Sequence, residues 1–260
     1  MPERTQYVPG TPSWIDIGTD VEAATQFYGP LFDWDSADAG PVEETGGYGF
    51  FTKGGKLVAG YGPQQHPGPP YWTSYISVAD ADDVAKRVEA AGGKVIMSPM
   101  EVMTAGRMAV FQDPQGAFIS AWEPKEHQGA QLVNEPGTLF WNELNTRDVD
   151  GSKRFYSAVF DWDPITHEGG PMPYTEFRVG GNSVAGMMAM PPMVPAEVPP
   201  HWLVYFAVED TDATVARAKE LGGAVRMPPM DITGVGRISV LADSKGATFA
   251  VIQPAAKASG

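Results

Sequence analysis

Cysteine is absent from all 260 residues, which excludes disulfides, thiolate nucleophiles and sulfur-rich metal sites together. Positive charge is scarce: 18 lysines and arginines stand against 32 aspartates and glutamates, for a formal net charge of −14. No basic patch interrupts this acidity, so neither nucleic acid nor an anionic membrane is expected as a partner. There is no run of about 18 apolar residues and no charged-then-apolar leader, so neither a membrane span nor an ordinary secretory signal is expected, and a cytoplasmic location is the default. Histidine is rare, with four in the chain: His66 in a proline-rich link, His127 in a polar connecting stretch, His167 after a helix and His201 just before a strand. Each is read as a surface or structural residue.

What the chain does have is a duplication. The stretch FYGPLFDWD, Phe27 to Asp35, returns as FYSAVFDWD, Phe155 to Asp163. Residues 71–124 align without a gap to 201–254, with 19 identities in 54 positions, a density that marks a duplicated supersecondary unit. In the first copy, apolar alternation predicts strands at Ser13–Ile17, Tyr48–Thr52 and Leu57–Tyr61, with a helix starting near Val21. Ala24, Phe27, Tyr28, Leu31 and Phe32 fall at helical spacing, which makes the repeated Phe-Tyr pair a buried helix face. Pro30 is expected to end or kink this helix, whereas its counterpart Ala158 is not. A strand at Trp72–Val78, a helix from Asp82 to Ala91 and strands near Lys94–Met97, Arg107–Gln112 and Ala117–Trp122 complete the half, and the second half repeats the order. The expected division is residues 1–124, a polar linker at 125–136 and residues 137–260.

These residues resemble the vicinal oxygen chelate superfamily, the glyoxalase, bleomycin-resistance and extradiol-dioxygenase group. The signatures are Phe32-Asp33-Trp34, Val78-Ala79-Asp80-Ala81-Asp82 and Asp113-Pro114-Gln115-Gly116-Ala117, each with its counterpart in the second half. More narrowly, the chain is similar to two-domain actinobacterial glyoxalase-like proteins, some of them labelled hydroxylases. The resemblance implies an α+β fold of four βαβββ units, arranged as two tandem domains with curved, cup-forming mixed sheets. It does not imply one function, because this scaffold hosts isomerases, dioxygenases, thiol transferases and drug-binding proteins.

In metal-using relatives of this kind, a divalent cation is held by a His on the first strand, a His or Gln on the strand opening the second unit, and a Glu on a closing strand. Counting from the repeated motifs, those positions fall on Trp14, Thr73 and Ser120, and on Trp141, Leu203 and Ala250. An indole nitrogen carries a proton and offers no lone pair, and the other side chains are not ordinary metal ligands. The expectation is therefore no metal and no cofactor.

Strand alternation assigns what lines each cup instead. The isoleucines of Trp14-Ile15-Asp16-Ile17 take the helix-packed face, which leaves Trp14 and Asp16 in the first cup and Trp141 and Glu143 in the second. Tyr75 and Tyr205 follow, with Ser120 and Trp122 from the first closing strand. Treating Met108 and Val110 as core sends Arg107 and Arg237 into the cups, where each could bind a ligand or pair with the nearby carboxylate as a buried ion pair. The candidate ligand contacts are thus Trp14, Asp16, Tyr75, Arg107, Ser120, Trp122, Trp141, Glu143, Tyr205 and Arg237.

Aromatic walls with one carboxylate suit a small hydrophobic or aromatic metabolite that is sequestered, carried or resisted without metal. The alternative is a cofactor-free isomerase, lyase or hydroxylase-associated enzyme with Asp16 or Glu143 as general base. A metal-dependent glyoxalase or dioxygenase ranks behind both. A small-molecule partner and a monomer or homodimer are expected, with the tryptophan-richer first half as the binding half.

Overall fold

The computed structural model describes residues 3–65, 67–169 and 172–255, so His66 lies outside the described residues. The first half runs β1 (Pro12–Thr19), α1 (Val21–Phe32), β2 (Asp35–Asp38), α2 (Val42–Thr45), β3 (Gly49–Lys53), β4 (Lys56–Pro63), β5 (Tyr71–Ser77), α3 (Ala81–Ala90), β6 (Lys94–Val102), β7 (Gly106–Gln112) and β8 (Phe118–Pro124). The second runs β9 (Leu139–Thr146), α4 (Val149–Phe160), β10 (Asp163–His167), β11 (Tyr174–Val179), β12 (Asn182–Ala189), β13 (His201–Ala207), α5 (Thr211–Glu220), β14 (Ala224–Ile232), β15 (Gly236–Ala242) and β16 (Thr248–Pro254). No helix among the described residues is long and apolar enough to cross a membrane.

Each half forms one eight-stranded mixed sheet, ordered β2-β3-β4-β1-β5-β8-β7-β6 and, in the copy, β10-β11-β12-β9-β13-β16-β15-β14. The βαβββ units therefore pair with their sequence neighbour, through the antiparallel β1–β5 and β9–β13 contacts. The edge strand β2 is hidden in the sequence by its polar, exposed DSAD, and β10 by its short DPITH, which opens on Asp-Pro and shows no apolar alternation.

The four long helices open alike. Asp20, Asp80, Asp148 and Asp210 each accept a hydrogen bond from the backbone N–H three residues on, the usual N-cap arrangement. Pro30 does not shorten α1, which ends at Phe32 just as α4 ends at Phe160. Its ring sits in the last turn, where the helix closes anyway on Asp33 in the left-handed region, with Asp161 doing the same in the copy.

The repeated motif joins the halves. α1 is wedged between both sheets, with Tyr28 against Phe51 of its own sheet and Phe249 of the other, ring centroids 6.2 and 5.5 Å apart. The Tyr28 hydroxyl donates to Asp243 Oδ2 at 3.0 Å, and Tyr156 donates to Asp113 Oδ2 at 2.9 Å. Trp72 and Trp202 donate their indole N–H to these same two phenols. The tryptophan of each FDW crosses as well: Trp34 Nε1 donates to Gly137 O and Trp162 Nε1 to Gly10 O, both at 2.6 Å. The helix-bearing faces of the two sheets are thereby packed against each other.

Candidate functional site

Opposite residues in an antiparallel pair share a face, and the β1–β5 register sets Trp14 against Tyr75 and Asp16 against Thr73. The parallel β5–β8 contact adds Ser120 beside Tyr75. At the centre of the first cup, Asp16 Oδ2 accepts hydrogen bonds from Tyr75 at 2.9 Å and Tyr48 at 3.1 Å, while Trp14 Nε1 donates to the Tyr48 hydroxyl at 3.0 Å. Burial pushes the Asp16 carboxyl up to about 6, against the pull of hydrogen bonds from Tyr75, Tyr48 and Thr73.

The second cup repeats the arrangement on β9. Tyr205 donates to Glu143 Oε1 at 2.8 Å, Tyr174 also bonds this carboxyl, and Trp141 Nε1 donates to the Tyr174 hydroxyl at 2.9 Å. Burial again raises the carboxyl above the ordinary glutamate range. Its walls are more apolar, with Leu203, Ile238, Ala250 and Ile252 clustered around Tyr205.

A glycine makes room for each network. Gly60 lies beside Asp16 and Gly186 beside Glu143 in the parallel register. A Cβ at Gly60 would collide with the Tyr48 hydroxyl, and one at Gly186 with the Tyr174 hydroxyl and Trp141 Nε1. Gly186→Ala is therefore expected to drive Tyr174 off Glu143 and to cost about 1–3 kcal/mol, the usual range for overpacking. Thermal melts with near-ultraviolet circular dichroism read both effects; an unchanged aromatic signal and melting point would show that the glycine is incidental.

Two sequence-based placements are corrected. Arg107 and Arg237 are not in the cups. The β7–β8 register sets Met108 against Trp122 and Arg107 against Glu123, so methionine takes the concave side and arginine the other. Arg107 instead binds Asp82 at 2.8 Å and Glu123 at 3.1 Å, and Arg237 binds Asp212 and Asp231. The cup carboxylates have tyrosines as partners, not guanidinium groups. Trp14, Asp16, Tyr75, Ser120 and Trp122 do share the first concave face, and Trp141, Glu143 and Tyr205 the second.

Residues that sequence reasoning passed over are Tyr48 and Tyr174, the two glycines and His127. The doubled Ala59-Gly60 and Ala185-Gly186 pairs carried a usable signal. His127 did not, because its position depends on how residues 125–134 fold back over the first cup. There its ring meets Trp14 edge-to-face, centroids 4.5 Å apart, and burial holds its imidazole down to about 4. Its Nε2 and the wholly buried Ser120 Oγ have no hydrogen-bond partner.

The donor set does not fit a divalent cation. The three positions that would converge on one carry Trp14, Thr73 and Ser120 in the first cup and Trp141, Leu203 and Ala250 in the second. Both indole N–H groups are committed as donors to tyrosine. Among the described residues no group of three or more His, Cys, Asp or Glu side chains could hold a metal ion.

Residues 17–121 and 138–251 each match the family model described as Glyoxalase/Bleomycin resistance protein/Dioxygenase superfamily. CFP32 of Mycobacterium tuberculosis, whose name suggests a glyoxylase, is 44% identical over 98% of this chain and 99% of its own length. The anthracycline biosynthesis protein DnrV of Streptomyces peucetius is 41% identical over 96% of this chain and 95% of its own. Among solved structures, the Mn(II)-bound glyoxalase from Novosphingobium aromaticivorans superposes with a TM-score of 0.65 at 16% identity, covering 97% of this chain and 83% of that one, a likeness of fold.

Proposed function

The chain belongs to the Glyoxalase/Bleomycin resistance protein/Dioxygenase superfamily, and from that premise we propose that it binds a small, flat aromatic metabolite on a concave sheet face without a metal. The observation that carries this reading is the Trp–Tyr–carboxylate–Tyr network, built twice at the place where metal-using relatives gather their ligands. Indole and phenol rings give a flat molecule apolar walls, and a buried carboxyl with spare acceptor capacity gives it one directional hydrogen bond. The relative named for anthracycline biosynthesis supports a polycyclic aromatic ligand. Sequestration or carriage of such a molecule would use these contacts alone.

The raised Asp16 carboxyl supports a second reading, a cofactor-free enzyme. A carboxylate titrating near 6 can take a proton from a carbon or hydroxyl acid at neutral pH, and the tyrosine hydroxyls around it can hydrogen-bond to the oxyanion that forms.

One titration separates the readings. A panel of polycyclic phenols and quinones, beginning with 1,8-dihydroxyanthraquinone, is expected to quench tryptophan fluorescence saturably with micromolar affinity and to be recovered unaltered. Recovery of a converted molecule, with conversion abolished in the Asp16→Asn, Glu143→Gln double variant, would establish the enzyme instead. No saturable response across the panel would remove the binding reading.

A further inference from the structure

The duplication puts the same tryptophan in both cups and then treats the two differently. After β8 the chain returns across the first cup: Lys125 N and His127 N donate to Ala105 O, Ala130 N to Ser13 O, and Gln131 N to Leu57 O. This path seats the His127 ring against Trp14 and 5.6 Å from Trp122, whose indole N–H donates to His127 O at 2.7 Å. An aromatic ring of the protein's own thus covers Trp14 in the first cup.

The second cup differs at the corresponding place. Trp141 and Gly186 match Trp14 and Gly60, so Phe140 and Ser183 stand where Ser13 and Leu57 stand in the first half. There they border a cavity of ≈ 710 Å³ whose wall also includes Trp141. Among the described residues no ring stacks on Trp141, which stays partly exposed where Trp14 is 3% exposed.

We propose that the ligand enters at the mouth of the second cup, in the cavity beside Trp141, and sets an aromatic ring against Trp141 as His127 sets its imidazole edge-to-face against Trp14. This rests on the binding reading above and assigns it to one cup, against the expectation set by tryptophan count. The cavity falls within the range of small-molecule sites, roughly 300–1,000 Å³. Leu139, Phe140, Val179 and Val184 line it beside Trp141, with Asn142 and Asn182 as polar groups, so the ligand is mostly apolar with one or two hydrogen-bonding groups. In the first cup an external ring would have to displace His127 together with the backbone hydrogen bonds that hold its segment.

The test uses full-length protein labelled with 5-fluorotryptophan, its seven tryptophan resonances assigned by single Trp→Phe substitutions and titrated with 1,8-dihydroxyanthraquinone. The Trp141 resonance is expected to shift and saturate at one equivalent while Trp14 stays in place. His127→Ala, checked for folding by circular dichroism, is expected to admit a second equivalent that now moves Trp14. A shift of Trp14 in the parent protein, or two equivalents bound before His127 is removed, would overturn the assignment while leaving the binding reading intact. If no resonance responds, the binding reading falls and the assignment with it.

Discussion

Replacing Asp16 by Asn is expected to stabilise the protein at pH 8, raising its melting temperature by roughly 3–10 °C, and to have no effect near pH 3.5. The carboxyl titrates at about 6 in the folded protein against 3.8 as its ordinary value, with burial as the main cause. A folded pKa raised above the unfolded one means that the native state holds its proton more tightly. The resulting stability is fully present below pH 3.8 and is lost as pH rises through about 6. At about 1.4 kcal/mol per pH unit the full shift corresponds to about 3 kcal/mol. The residue keeps some exposure at the cup, so solvent reduces the effect to about 1–3 kcal/mol. For a chain of this length each kcal/mol moves the midpoint by about 2–4 °C. The amide keeps an oxygen for Tyr48 and Tyr75 while carrying no charge. Thermal melts of both proteins from pH 3.5 to 8 check this: curves that run parallel throughout would show that Asp16 is not destabilised by its surroundings. A carboxylate kept at such a cost in both halves is what the proposed binding site would require.

The opposite sign is expected at the domain junction, where Asp243→Ala should lower the melting temperature by on the order of 10 °C. Asp243 Oδ1 accepts the backbone N–H groups of Lys245 and Ala247, each at 2.9 Å, and shapes the turn before β16, while Oδ2 accepts the Tyr28 hydroxyl from the other half. Alanine removes all three bonds and leaves a buried phenol with no acceptor. Together these come to about 3–5 kcal/mol. Tyr28→Phe is expected to cost less, about 1–3 kcal/mol, because it strands the Trp72 indole and one carboxylate oxygen but leaves the turn intact. The double variant should lose less than the sum, since the shared bond is counted in both single variants. Strict additivity in denaturant or thermal unfolding would show that the cross-domain bond contributes nothing.

The fold was legible because its signals are local and doubled. Aspartate caps, FDW endings and gapless spacing appear twice, and each constrains the other. Trp14, Asp16, Tyr75 and their copies were legible for the same reason, since a strand's alternation fixes its face once one neighbour is placed. The arginines went wrong at that single step. Met108 looks like core by composition, yet its face is decided by the strand opposite, where Trp122 sits. Tyr48 stands just before β3 and Tyr174 opens β11, each two strands away from the carboxyl it reaches, and that reach depends on the missing side chains of Gly60 and Gly186, a tertiary fact. His127 was hidden more deeply, because a polar stretch between prolines reads as connecting chain and nothing local shows that it doubles back.

The bonds of Tyr28 to Asp243 and of Tyr156 to Asp113 are reciprocal. Each half gives a phenol and receives one, the pattern of an isologous contact between twin subunits. Joined in a single polypeptide, the twins meet at a concentration fixed by their tether, so the pairing survives any dilution. Freed from having to match each other for assembly, the two hollows could diverge, one lined by its own chain and the other left open to a guest.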